Sequence, residues 1–324
     1  MKPLEAKLLR GLGGVAVVTG LLLLGWYWGA KTASRTAPTA KAAPAEPATG
    51  AGPTRVQAPA ATPPTARWTN SLGQIFVPVP GTKARFCIWD TRVQDFAAFV
   101  KATGYNALGG MLSVQHGVPG GHGDTWQSPG FAQGPTCPVV GVNWDDAKAF
   151  CAWLTQQEQA AGKITSGQSY RLPTDAEWSL AVGLNEADGG LPKEKSGRIQ
   201  GIYPWGANWP PPKDAGNYAG SEARDGNWPS SWPTLEEYRD GYARTSPVGS
   251  FPANRFDLYD MGGNVWQWCE DRFDGTTPLR VFRGASCFDW NQTNLLSSYR
   301  GASGPRWRYG RVGFRCVMGE GAAP

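Results

Sequence analysis

Apolar positions in this chain gather in short runs, and long stretches between them show no period. Residues 75–80, IFVPVP, alternate as a short strand does, and 86–89, FCIW, read as a buried one. Val93, Phe96, Phe99 and Val100 recur at helical spacing, which predicts a helix over 92–103, capped by Asp90-Thr91 and stopped by Gly104. A second helix, capped by Asn143 or Asp145, places Ala147, Phe150, Cys151 and Leu154 on one face. A third starts at Thr174, and Glu177 three residues later completes a capping box. Short strands are expected at 264–269, 280–285 and 312–317. Residues 105–136 read as an ordered loop, and 183–255 show little regular structure. The class is α+β and loop-rich. Loops this long in a folded domain need pinning by disulfides, metals or buried aromatics.

The longest apolar run, residues 11–30, carries no charge. At about 1.5 Å per residue, some twenty residues cross a hydrocarbon core of about 30 Å. Lys2, Lys7 and Arg10 precede it, and Trp26, Tyr27 and Trp28 close it as interfacial aromatics do. A cleaved signal peptide competes with this reading. Cutting after Ala30 or Ala33, however, puts Trp28 or Lys31 where a small residue is wanted. The segment is read as an uncleaved transmembrane helix, with the C-terminal part outside the cytoplasm, in the periplasm or at the cell surface. Residues 31–66 are rich in Ala, Pro and Thr and read as a semi-extended, disordered tether. A folded domain over 67–319 and a tail over 320–324 follow.

Composition fits this picture. The 324 residues include 43 Gly, 27 Pro and 16 Trp, and only 18% are charged. A net charge of +5 with no dense basic block argues against nucleic-acid binding.

Five phrases then recur in order: CPVVGVNWDDAKAFCAWL (137–154), YRLPTDAEW (170–178), YPWG (203–206), SPVGSFPANRFDLYDMGGNVWQWCED (246–271) and VFRGAS with GFRC (281–286 and 313–316). Together they resemble the sulfatase-modifying-factor family, which includes the formylglycine-generating enzymes, over about residues 72–318. The resemblance implies the family's loop-rich variant of the C-type-lectin fold. Each phrase also has a folding role. RLPTDAEW is a helix start with Trp178 packing inward, and GGNVWQW brings backbones close before a core strand containing Val265, Trp266 and Trp268.

Active members carry a C-x4-C pair after an R-G-G-S turn, and its thiolates hold copper(I), a soft ion that prefers sulfur. The bound copper activates oxygen to turn a substrate cysteine into formylglycine. Here R-G-A-S is Arg283–Ser286, and the two cysteine positions hold Asp289 and Asn294. Cys287 is a displaced single thiol, insufficient for a two-thiolate site, so no copper is expected. A related branch of the superfamily holds iron with several histidines. Only His116 and His122 occur here, in a Gly-rich loop and without a clear third ligand.

The resemblance further implies a Cys151–Cys316 disulfide and two structural calcium sites. One site would use Asp240 and the carbonyls of Ser221 and Tyr242, with Gly220 where relatives have Asn or Asp. The other would use Asp260 and Gln267 with the carbonyls of Gly263 and Val265. Gln267 stands where the family usually has Glu, so binding is expected to be weaker. The stretch after R-G-A-S, where relatives place their functional surface, contributes Phe288, Trp290, Arg300, Arg306, Trp307, Arg308 and Tyr309. These aromatic and arginine types dominate binding hot spots. They would suit an acidic glycan or an anionic peptide. The expectation is a non-catalytic, membrane-tethered recognition or scaffold module. The alternative is an oxidoreductase with an atypical site built on Cys287 or the histidine loop, and a third reading is a structural role in an envelope assembly.

Overall fold

The computed structural model describes residues 67–320 apart from 116–117, 122, 187–188 and 227. The apolar run 11–30, the tether 31–66, and His116 and His122 lie outside the described residues. Among the described residues no helix is long and apolar enough to cross a membrane.

In chain order the elements are β1 (Trp68–Thr69), β2 (Ile75–Pro78), β3 (Arg85–Cys87), α1 (Val93–Thr103), β4 (Ser113–Gln115), β5 (Val118–Gly121), α2 (Trp144–Ala160), β6 (Gln168–Arg171), α3 (Asp175–Val182) and a single-turn α4 (Pro192–Lys195). A 3₁₀ turn (Ser221–Asp225) precedes β7 (Trp266–Arg272), β8 (Arg280–Arg283), β9 (Gly301–Ser303), β10 (Val312–Gly313) and β11 (Val317–Glu320). Five strands form an antiparallel sheet in the order β1-β2-β3-β11-β6, so the last strand lies between two early ones. Four more form a sheet in the order β10-β7-β8-β9, with β10 parallel to β7. The hairpin β4-β5 stands apart, within the stretch expected to be only a loop.

Side-chain caps set the helix starts. Asn143 accepts from the Asp146 N–H at 2.8 Å while Asp146 accepts from the Asn143 N–H at 2.9 Å. Thr174 and Glu177 form the expected reciprocal box. Gly104 ends α1 at φ +68°, a left-handed conformation that favours glycine. The expected Asp90-Thr91 cap of α1 is corrected. Arg92 takes the cap position, and its N–H donates to Asp95 at 3.1 Å. Thr91 is instead tied into the core, its N–H on Phe314 and its carbonyl on Val139. Asp90 is fully buried beside Arg315, 3.5 Å away.

Aromatic rings fill the space between the helices and the sheets. Phe96, Phe99, Phe150 and Phe314 pack mutually, with centroids 5.4–6.5 Å apart. Strand β7 is buried at Trp266, Gln267, Trp268 and Cys269 alike, so both faces meet protein. The run expected as one strand over 312–317 divides in two. The chain crosses from one sheet to the other at Phe314–Cys316, and there Arg315 turns inward onto the carbonyls of Cys87 (3.0 Å) and Tyr259 (2.6 Å). The two glycines of GGNVWQW are in close contact, as expected. A Cβ on Gly262 would lie 2.3 Å from Pro204, and one on Gly263 would lie 2.5 Å from the Asn217 carbonyl oxygen.

Candidate functional site

The turn after β8 presents the two positions that matter most. Gly284 (φ +102°) and Ala285 (φ +62°) reverse the chain out of the sheet. Ser286 then donates from its hydroxyl to Asp289 Oδ2 at 2.6 Å, and Trp266 Nε1 donates to the same oxygen at 2.8 Å. Asn294 Nδ2 donates to Asp289 Oδ1 at 3.2 Å. The residues expected at the two cysteine positions therefore face each other, closed by a hydrogen bond. Asp289 is 3% exposed and its oxygens are spent on three donors. Oxygen and amide groups so engaged do not fit copper(I), which wants two soft thiolates. No step through that metal follows from this arrangement.

Cys287 gives no thiol to the pair. It is 1% exposed and packs with Ala219, Ala223, Trp228 and Phe288, a cluster that holds no other cysteine. Burial pushes its thiol up to about 12, against the opposing pull of Arg244. A neutral buried thiol is a small apolar residue rather than a nucleophile. The other cysteines are buried and unbonded as well, and Cys151 Sγ lies 3.5 Å from Cys316 Sγ.

The set expected to contact ligand separates. Phe288 and Trp290 join Trp228 and Trp232 in one cluster, with ring centroids 5.4–6.2 Å apart. Arg306 and Trp307 are exposed, Trp307 by 49%. Arg308 is clamped on Asp146 at 2.8 and 2.9 Å, and Tyr309 shares a 2.7 Å hydroxyl contact with Ser303. Arg300 leaves the set. Its guanidinium is wholly buried and bound to Asp175 and Glu186, so no donor edge faces solvent. Trp228, Trp232 and Arg244 join the aromatic cluster although no periodicity pointed to them. The only sequence signal is a Trp pair four residues apart in a Pro-rich loop.

The calcium ligand sets divide too. Asp240 accepts from the N–H groups of Tyr218 (2.9 Å) and Tyr242 (2.8 Å). Burial, with the nearby charge of Glu222, pushes its carboxyl up to about 7. A Cβ at Gly220 would meet the Tyr238 carbonyl oxygen at 2.6 Å and Glu222 Oε2 at 3.0 Å, so no side chain fits there and the Glu222 carboxylate lies beside that position. Two carboxylates with the neighbouring carbonyls are hard oxygen donors of the kind calcium takes. At the other set, Gln267 Oε1 already accepts from Trp178 Nε1 and Arg315 Nε, both at 2.9 Å. Its amide donates to the Asp260 carbonyl at 2.7 Å. Arg315 itself supplies the positive charge there, so that set does not fit a calcium ion.

The sheet pair and the R-G-A-S turn agree with the class expected, a sulfatase-modifying-factor fold. Residues 80–319 match the sulfatase-modifying factor enzyme 1-like domain, and the chain belongs to that family. It is similar to an inactive C-alpha-formylglycine-generating enzyme 2 of Bos taurus, 32% identical over 211 residues, covering 61% of this chain and 58% of the relative. The chain therefore spans little more than half of that relative. It is also similar to a formylglycine-generating enzyme of Thermomonospora curvata, 31% identical over 270 residues, covering 69% of this chain and 78% of the relative. Among solved structures it shares its fold with PvdO from Pseudomonas aeruginosa, at TM-score 0.50 and 20% identity, covering 80% of this chain and 100% of that one.

Proposed function

We propose that the protein is a non-catalytic recognition module of its family, tethered to a membrane by residues 11–30 with its folded domain outside the cytoplasm. The observation that carries the non-catalytic reading is the hydrogen bond joining Asp289 to Asn294 at the metal position. A relative itself named inactive is consistent with such a role. Recognition is assigned to Trp290 and Trp232, which are part-exposed and pack on the buried Phe288 and Trp228, and to the exposed Arg306 and Trp307. An acidic glycan or an anionic peptide suits that mixture. The ion proposed for the Asp240–Glu222 set is a structural calcium.

Titration of the purified full chain with copper(I), followed by a cysteine peptide and oxygen, tests the first part. Neither stoichiometric copper binding nor aldehyde formation is expected, and oxygen-dependent aldehyde formation would overturn the reading. Sequencing the mature N-terminus tests the tether, because a start near residue 30 would mean that the segment is removed.

A further inference from the structure

Four arginines are buried in this domain: Arg244, Arg283, Arg300 and Arg315. Arg283 and Arg300 face Asp175, Arg300 also faces Glu186, and Arg315 faces Asp90. Arg244 has no carboxylate partner among the described residues. At 7% exposure it is held only by backbone carbonyls: Ala243 at 2.5 Å, Ala223 at 3.3 Å, and Gly226. Its guanidinium lies over the rings of Phe288 (5.0 Å) and Trp228 (5.6 Å). Nε donates to no described residue.

Arg244 also lines a cavity of about 370 Å³, together with Phe131, Gly226, Tyr242, Ala243 and Thr245, and no acidic side chain lines it. The backbone on its wall is unusual. The neighbouring N–H groups of Tyr242 and Ser246 donate to Asp240 and Asn264. Those of Ala243, Arg244 and Thr245, between them, donate to no described acceptor. Asp240 is engaged by the N–H groups of Tyr218 and Tyr242, and Glu222 by Gly241 and Arg239.

We infer that this cavity is a binding site for a small oxyanion, a carboxylate or a phosphate or sulfate ester. Arg244 receives the charge, and Phe131 and Tyr242 receive the body that bears it. A bound oxyanion would supply the counter-charge that the other three buried arginines find within the protein. Arginine matches such a ligand because its planar fork offers two parallel donors. The site is separate from the Asp289–Asn294 pair and does not depend on whether that pair is catalytic.

The test is calorimetric titration of the full chain with inorganic phosphate, sulfate and glucuronate at low ionic strength, with glucose as the neutral control. Tryptophan fluorescence serves as a second readout, since Trp228 lies against the guanidinium. Saturable binding of at least one anion is expected, with none of glucose. Arg244→Gln should weaken it about tenfold or more, and Arg244→Lys by less. Arg272→Gln, which removes an exposed arginine outside the cavity, should leave it unchanged. The assignment fails if the native chain binds none of the three anions saturably. It also fails if Arg244→Lys and Arg244→Gln bind as well as native, or if Arg272→Gln loses binding to the same extent as Arg244→Gln. Should Arg244→Gln not fold, Arg244→Lys and the native titration decide.

Discussion

Two buried arginine sites of this domain show opposite solutions to one problem. Around Arg283 and Arg300 the circuit is closed. Asp175 faces both arginines, Glu186 faces Arg300, and two cations meet two carboxylates with the Ser179 hydroxyl between them. Around Arg244 the circuit is open, and only carbonyls and aromatic faces answer the charge. The closed network joins α3 to β8 and to the segment entering β9, elements far apart in sequence, so it belongs to the fold. The open one joins loops beside a cavity, so it is available to a ligand.

Breaking the closed network should give the largest effect. Removing one partner of a buried pair leaves an uncompensated charge, so Asp175→Ala should cost about 3–5 kcal/mol in denaturant unfolding. Arg244→Gln should cost less, because no carboxylate is stranded. Equal losses would erase the contrast between the two sites. The network also sets an acid limit. Burial alone would raise the Asp175 and Glu186 carboxyls, but Arg283 and Arg300 outweigh it and hold both below their ordinary values of 3.8 and 4.5. A depressed folded value contributes stability that is present above the unfolded value and is lost as pH falls through the folded one. The network's contribution, read as the native profile minus that of Asp175→Asn, should therefore be flat near neutrality and drop below about pH 4.

Next in size is the Asp289–Asn294 pair. Asp289 and Asn294 already meet at 3.2 Å, so two thiols placed there would be neighbours. The double variant Asp289→Cys, Asn294→Cys should bind copper(I) stoichiometrically, and neither single variant should. Losing the bonds from Trp266 and Ser286 should cost about 1–3 kcal/mol, because their buried donors are left without partners. Absence of copper binding by a folded double variant would show that the backbone, and not only the side chains, has left the metal-binding geometry.

Local features of this domain were legible in the sequence, and its long-range pairings were not. The caps of α2 and α3, the stop at Gly104 and the close approach at Gly262–Gly263 each depend on neighbours in the chain, and each was read correctly. The cap of α1 was misread because Thr91 and Asp90 are recruited by β10–β11 residues more than 200 positions away. Arg300 was read as a surface residue because nothing near it announces Asp175, 125 positions earlier. The strand over 312–317 was read as one piece because alternation does not reveal that a chain changes sheets midway. Arg244 drew no notice, since a single arginine in a loop is ordinary until its surroundings show that it lacks a partner.

A smaller effect is expected at the calcium position. Glu222→Gln should weaken calcium binding, measured by titration of the chelated protein, with little change in stability when calcium is absent. If Glu222→Gln binds calcium as native does, the Glu222 carboxylate beside Gly220 is not a ligand.

The smallest expected effect is a lack of reaction, and it bears directly on the open site. Cys287 shares a cluster with Phe288 and Trp228, the rings over which Arg244 lies. A nearby cation ordinarily makes a thiol acidic and reactive. Here burial wins, and the thiol is pushed up to about 12. Across pH 7–9 it therefore stays protonated, with about one thiolate in ten thousand molecules at pH 8. Iodoacetamide should leave Cys287 unmodified in the folded protein and label it fully after denaturation, as peptide mass mapping would show. An oxyanion bound at Arg244 cancels the only charge pulling the thiol down, so saturating phosphate should make labelling no faster. Rapid native labelling would mean that Arg244's field reaches a thiolate. The open arginine would then serve a reactive cysteine rather than a ligand, and the oxidoreductase reading would gain the nucleophile it lacks.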